Sequence, residues 1–149
     1  NQETWDFSYG KKWTPEVENK FIELAGREYI KRISILGGSP LCDENVEEVY
    51  YLVRRLRTEY PDKQIWVYTG YTWESIYSPV YFSKIAVMQP TVSDYRNAVL
   101  ENIDVLVDGS FEYGKRDLTL PFRGSTNQRI IDVNKTLQSD KIVLWENPV

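Results

Sequence analysis

Apolar side chains recur at helical spacing in three stretches of the chain and gather into short β-branched runs between them. Val17, Phe21, Leu24 and Ala25 share one face of a helix that Thr14-Pro15-Glu16 begins and that runs to about Glu28. Thr caps, Pro suits the first turn and Glu complements the helix dipole. Val46, Val49, Leu52, Val53 and Leu56 form a second stripe, with Asp43 as its expected cap. Arg54, Arg55 and Arg57 stand near its C-terminal end, as a solvated helix end would. Thr91 or Ser93 caps a third helix carrying Tyr95, Ala98, Val99 and Asn102. Between these lie the strands Arg32–Leu36, Gln64–Thr69 and Ile103–Val107. Strands alternating with helices predict parallel βα units, and the near-continuous apolar character of the runs suits strands covered on both faces.

The remaining stretches are less regular. Trp5, Phe7, Tyr9 and Trp13 roughly alternate and predict an extended arm packed on the domain. Residues 72–90 read as irregular, and Lys115–Leu120 as a polar loop. Ile130–Val133 and Ile142–Trp145 read as two short strands around a turn at Asn134–Asp140. No repeat or linker divides the 149 residues, which predicts one α/β domain over 1–149.

The strand ends carry the candidate chemistry. The first strand stops at Gly37-Gly38-Ser39-Pro40, the second at Thr69-Gly70-Tyr71 and the third at Asp108-Gly109. In α/β folds ligands collect at the carboxyl ends of strands, and glycine lets the backbone approach them closely. Each of these stretches also fits a plain strand-end turn. Arg123-Gly124-Ser125-Thr126-Asn127-Gln128-Arg129 is dense in amide and guanidinium donors, as a site or partner contact would be.

Composition narrows the chemistry. The chain contains no His, which excludes Ser-His-Asp and Cys-His catalysis and His-based zinc sites. Its single cysteine, Cys42, forms no internal disulfide and cannot alone hold an iron–sulfur cluster, and it predicts a reduced, cytoplasmic setting. A net charge of -4 and a pI near 5.0 argue against general nucleic-acid binding. No apolar run is long enough to span a membrane.

Four stretches in order, 33–41, 65–71, 104–111 and 123–128, closely resemble the activating proteins of anaerobic ribonucleoside-triphosphate reductases, members of the radical S-adenosylmethionine superfamily. The resemblance covers nearly the whole chain and is weakest over 72–102. It implies a partial (βα) barrel of mainly parallel strands. It implies a 4Fe–4S cluster on a Cys-x-x-x-Cys-x-x-Cys loop, with S-adenosylmethionine chelating the fourth iron. Reductive cleavage would then give a 5′-deoxyadenosyl radical that abstracts hydrogen from a glycine of the reductase. The partners so implied are the reductase catalytic subunit and a reductant such as flavodoxin.

By the same resemblance Gly37, Gly38 and Ser39 face the methionyl amino group. Thr69, Gly70, Tyr71, Asp108 and Gly109 line the same cofactor site. No catalytic or metal-ligating residue is expected within the chain. Two departures from the family stand out. Asn1–Trp5 looks like the sequence just after the last cluster cysteine, so the chain reads as truncated at the N-terminus, with the cluster ligands expected upstream of Asn1. Ser39 stands where the family usually carries Asp or Glu, and an uncharged acceptor holds an ammonium less tightly. The alternatives are an activase of another glycyl-radical enzyme, such as pyruvate formate-lyase, and a non-catalytic, cluster-free α/β binding module.

Overall fold

The computed structural model describes residues 13–37, 39–78 and 89–146. The expected aromatic arm before Trp13, and Gly38, lie outside the described residues. The order of elements is α1 (Pro15–Ala25), β1 (Arg32–Ile35), α2 (Val46–Glu59), β2 (Gln64–Tyr68), α3 (Trp73–Ile76), α4 (Val92–Asn102), β3 (Val105–Asp108), a 3-10 turn (Tyr113–Lys115), β4 (Arg129–Asp132) and α5 (Val133–Ser139). The strands form one sheet in the order β1-β2-β3-β4. β1, β2 and β3 run parallel, with Ile33 beside Ile65 and Val67 beside Leu106. β4 runs antiparallel to β3, with Ile131 beside Leu106.

The period-two alternation of the strands sorts their side chains to two faces. Ile33, Ile65, Val67, Leu106 and Ile131 join Val46, Leu52, Val53 and Leu56 of α2 and Ala98, Val99 and Leu100 of α4 in the main core. Each fully buried Val, Leu or Ile among them contributes about 1.5–3 kcal/mol. Trp66, Val105 and Val107 point the other way and form a second cluster. Trp66 is wholly buried there, edge-on to Trp145 at 4.9 Å and beside Phe122 at 5.2 Å. The Arg32 guanidinium stacks 4.2 Å from the Trp66 ring centre and closes this side.

Several elements differ locally from the sequence expectation. α1 ends at Ala25, and it buries Ile22 and Ala25 while Val17 and Leu24 are exposed. Thr14 does cap it, accepting from the Val17 N–H at 3.3 Å. Asp43 caps no helix: α2 begins after Asn45, and Asp43 instead pairs with Arg96 at 3.2 Å. Arg57 is no solvated helix end. Its guanidinium meets the Asp104 carboxylate at 2.6 Å and also donates to the Asn102 and Lys63 carbonyls. Residues 72–90 include the short helix α3. The expected turn at Asn134–Asp140 falls in helix α5, because Asp132 caps Lys135 N–H at 3.0 Å and Asp140 closes the helix in a left-handed conformation. Residues 142–145 add only a single bridge, Leu144 to Ile131.

Candidate functional site

The carboxyl ends of the three parallel strands converge on one cleft. It has a volume of about 210 Å³, and Gly37, Ser39, Thr69, Gly70, Gly109 and Gln128 are among the residues lining it. Five of the strand-end residues expected to share a site are thus brought together. Pro40, Tyr68 and Phe111 complete the lining. Period-two alternation was the signal for Tyr68, which sits two residues after Trp66 on the face turned away from the helices. Phe111, the last residue of the 104–111 stretch, is half exposed at the rim.

The backbone at this rim is unusual. Gly37 holds φ at +76° and Gly109 at +93°, where a side chain is strained. Among the described residues nothing lies within 4 Å of where a Cβ on Gly37 would be, so the main chain is open to an approaching group there. Ser39 also adopts a left-handed conformation, φ +60°. Its carbonyl accepts from Cys42 N–H and from Asn45 Nδ2, each at 3.2 Å, which holds the loop against α2.

The end of β2 is bolted to the end of β3. Thr69 N–H donates to Val107 O at 3.0 Å, Gly109 N–H to Tyr71 O at 2.8 Å, and Ser110 Oγ to Gly70 O at 2.9 Å. Two expected site residues serve this scaffold rather than the cleft wall. The Asp108 side chain is buried and accepts from Trp73 N–H at 2.8 Å and from Arg129. Tyr71 packs on the main core beneath the Arg96 guanidinium, 4.7 Å from its ring centre. Arg96 also donates to Leu41 O at 2.8 Å, so α4 ties the loops after β1 and β2 together.

The donor-rich run 123–129 folds back on the rim. Arg123 Nη1 donates to Gln128 O at 2.6 Å, Asn127 Nδ2 to Ser110 O at 2.8 Å, and Gln128 Nε2 to Gly109 O at 3.0 Å. Hydrogen bonds from Arg129 hold the Glu74 carboxyl below its ordinary pKa. Burial raises the Tyr68 hydroxyl, which therefore stays protonated near neutrality.

Among the described residues no group of three or more His, Cys, Asp or Glu side chains is arranged to hold a metal ion. Cys42 is buried, and its thiol is raised by burial and by Glu44.

Residues 1–131 match the family model of a 4Fe-4S single cluster domain. The chain is 40% identical over 132 residues to the anaerobic ribonucleoside-triphosphate reductase-activating protein of Vibrio cholerae, spanning 87% of this chain and 75% of that protein. It is 38% identical over 130 residues to the protein of that name from Escherichia coli K12, spanning 86% and 74%. It is 29% identical over 130 residues to that of Enterobacteria phage T4, spanning 87% and 71%. No solved structure matches.

Proposed function

Because the chain belongs to the family of anaerobic ribonucleoside-triphosphate reductase-activating proteins, we propose that its strand-end cleft is the S-adenosylmethionine site of a glycyl-radical activase. The observation that carries this reading is the convergence of Gly37, Ser39, Thr69, Gly70 and Gly109 on one cleft at the carboxyl ends of three parallel strands. A zwitterionic methionyl group needs open main-chain N–H and C=O groups, and the open backbone at Gly37 supplies such a surface. The sheet is then part of a partial (βα) barrel with its mouth at this rim.

The residues present do not fit the cluster by themselves. A 4Fe–4S cluster is held by several cysteine thiolates, and the 149 residues contain only Cys42, buried and protonated. The cluster ligands of the working protein therefore come from outside these residues. Within the chain, the β1 and β2 loops present the backbone, Arg96 fixes those loops, and the Asp108–Arg129 pair fixes the β3 end. The target is an anaerobic ribonucleoside-triphosphate reductase, the reductant is of the flavodoxin type, and the setting is cytoplasmic. No helix among the described residues is long and apolar enough to cross a membrane.

The test uses the cluster-bearing protein with the reductase, a reductant and S-adenosylmethionine. A glycyl-radical signal in electron paramagnetic resonance, dependent on S-adenosylmethionine, is expected. A signal that forms without it, or none with the cluster intact, defeats the reading. The 149 residues alone should bind S-adenosylmethionine weaker than about micromolar, roughly -8 kcal/mol, since the cluster contacts are missing.

A further inference from the structure

Gln128 is the one residue of the donor-rich run that lines the cleft, and its side-chain amide is committed at both ends. Oε1 accepts from the Gly124 and Ser125 N–H groups at 2.8 and 3.1 Å, and Nε2 donates to the Gly109 carbonyl at 3.0 Å. The opposite amide orientation would set an NH2 against two N–H donors and an oxygen against a carbonyl, so the chemistry fixes which end is which. Gly109 is the left-handed residue that ends β3, and its own N–H holds the Tyr71 carbonyl beyond β2. One side chain thus joins the 123–129 run, the end of β3 and the loop after β2.

We propose that Gln128 is a positioning residue of the cleft: acting through the Gly109 carbonyl, it sets the spacing of the β2 and β3 ends and so the affinity for S-adenosylmethionine. The ligand's identity rests on the reading above, while the positioning role rests on the hydrogen bonds alone. Arg123, on the Gln128 carbonyl, and Asn127, on Ser110 O, hold the run in register for this contact.

Gln128→Glu separates positioning from bulk. The introduced carboxylate keeps both acceptor bonds but faces the Gly109 carbonyl without a proton. Once protonated, it donates to that carbonyl again. Gln128→Ala removes both functions at every pH. In the cluster-bearing protein, two quantities are measured against wild type from about pH 4 to 8.5, a range that reaches the ordinary glutamate value: S-adenosylmethionine affinity, and the hydrogen exchange of the Gly109 amide. At pH 8.5 Gln128→Glu should bind about tenfold more weakly, the cost of one part-buried hydrogen bond, and exchange faster at Gly109. Both differences should shrink on acidification, and those of Gln128→Ala should persist. Unaltered Gly109 exchange in both variants overturns the proposal, whatever the ligand does. So does faster exchange with unaltered affinity, or a Gln128→Glu defect that acid does not relieve. If wild type itself binds no S-adenosylmethionine, the reading of the cleft fails, and the pH-reversible exchange at Gly109 alone decides whether Gln128 positions the strand end.

Discussion

Arg129 and Asp108 face each other across the β3–β4 ladder and are joined twice, Nε to Oδ1 at 3.0 Å and Nη2 to Oδ2 at 2.5 Å. The Asp108 side chain is only 1% exposed, whereas that of Arg129 is 32% exposed. Removing the arginine leaves a buried carboxylate whose remaining partner among the described residues is the Trp73 N–H. Arg129→Ala should therefore destabilise the fold by about 3 kcal/mol, the low end for a broken buried pair. Arg129→Lys should recover only part, because an ammonium cannot reproduce the planar fork. Urea unfolding with an unchanged slope measures both; a loss below about 1 kcal/mol in the alanine variant contradicts the clamp.

The same guanidinium makes Glu74 a pH-sensitive anchor. Its hydrogen bonds lower the Glu74 pKa in the folded state. The stabilisation is thus fully present above the unfolded glutamate value, about 4.3, and is lost as pH falls through the lower folded value. Glu74→Gln should be slightly less stable than wild type at pH 7 and equal to it at the acid end. The effect is small, because the Glu74 side chain is 58% exposed. Urea midpoints at a series of pH values decide this, and a gap that widens with acid contradicts an anchor of this sign.

Cys42 should be chemically quiet in the native protein. Burial, then Glu44, raises its pKa, so little thiolate exists at neutral pH and reagents reach it poorly. Its labelling by a maleimide should be slow in buffer and fast in urea. Equal rates would show that the loop after Ser39 opens freely.

Ser39 offers a gain-of-affinity test. Its left-handed backbone, φ +60°, is a conformation in which Asp and Asn are several-fold enriched, so Ser39→Asp fits the loop. In the cluster-bearing protein the added charge beside a methionyl ammonium should raise S-adenosylmethionine affinity about tenfold or more, as charge-assisted hydrogen bonds do. Calorimetry showing unchanged affinity removes residue 39 from the site.

The parallel order of β1, β2 and β3 was legible because each is a short apolar run with a helical pattern after it or before the next. The convergence of Gly37, Ser39, Thr69, Gly70 and Gly109 followed from that order, since parallel strands bring their ends to one rim. What could not be read were choices made by distant partners. Asp43 looks like a cap until Arg96, 53 residues on, takes its carboxylate. Arg57 looks solvated until Asp104 comes beside it. The inward turn of the Asp108 side chain toward Arg129 is visible only once β4 pairs antiparallel to β3. Residues 134–140 have weak helical patterning, and the Asp132 cap tips them into α5.

The reversal of β4 has a consequence for how this rim tolerates change. In an all-parallel sheet the segment entering a strand arrives at the far end from the ligand. Because β4 runs backward, the connection 110–128 leaves β3 and returns to β4 at the same edge, as a closed excursion. Its tip can grow or shrink without moving either strand out of register, much as a hairpin loop does. Its feet are Ser110 beside Gly109 at one end and Asn127 and Gln128 at the other, and between them Phe122 packs on Trp66 while Ser125 is held by Glu112 and Gln128. The exposed tip around Leu118 and Thr119 is where the chain has room to change while leaving the cleft unaltered.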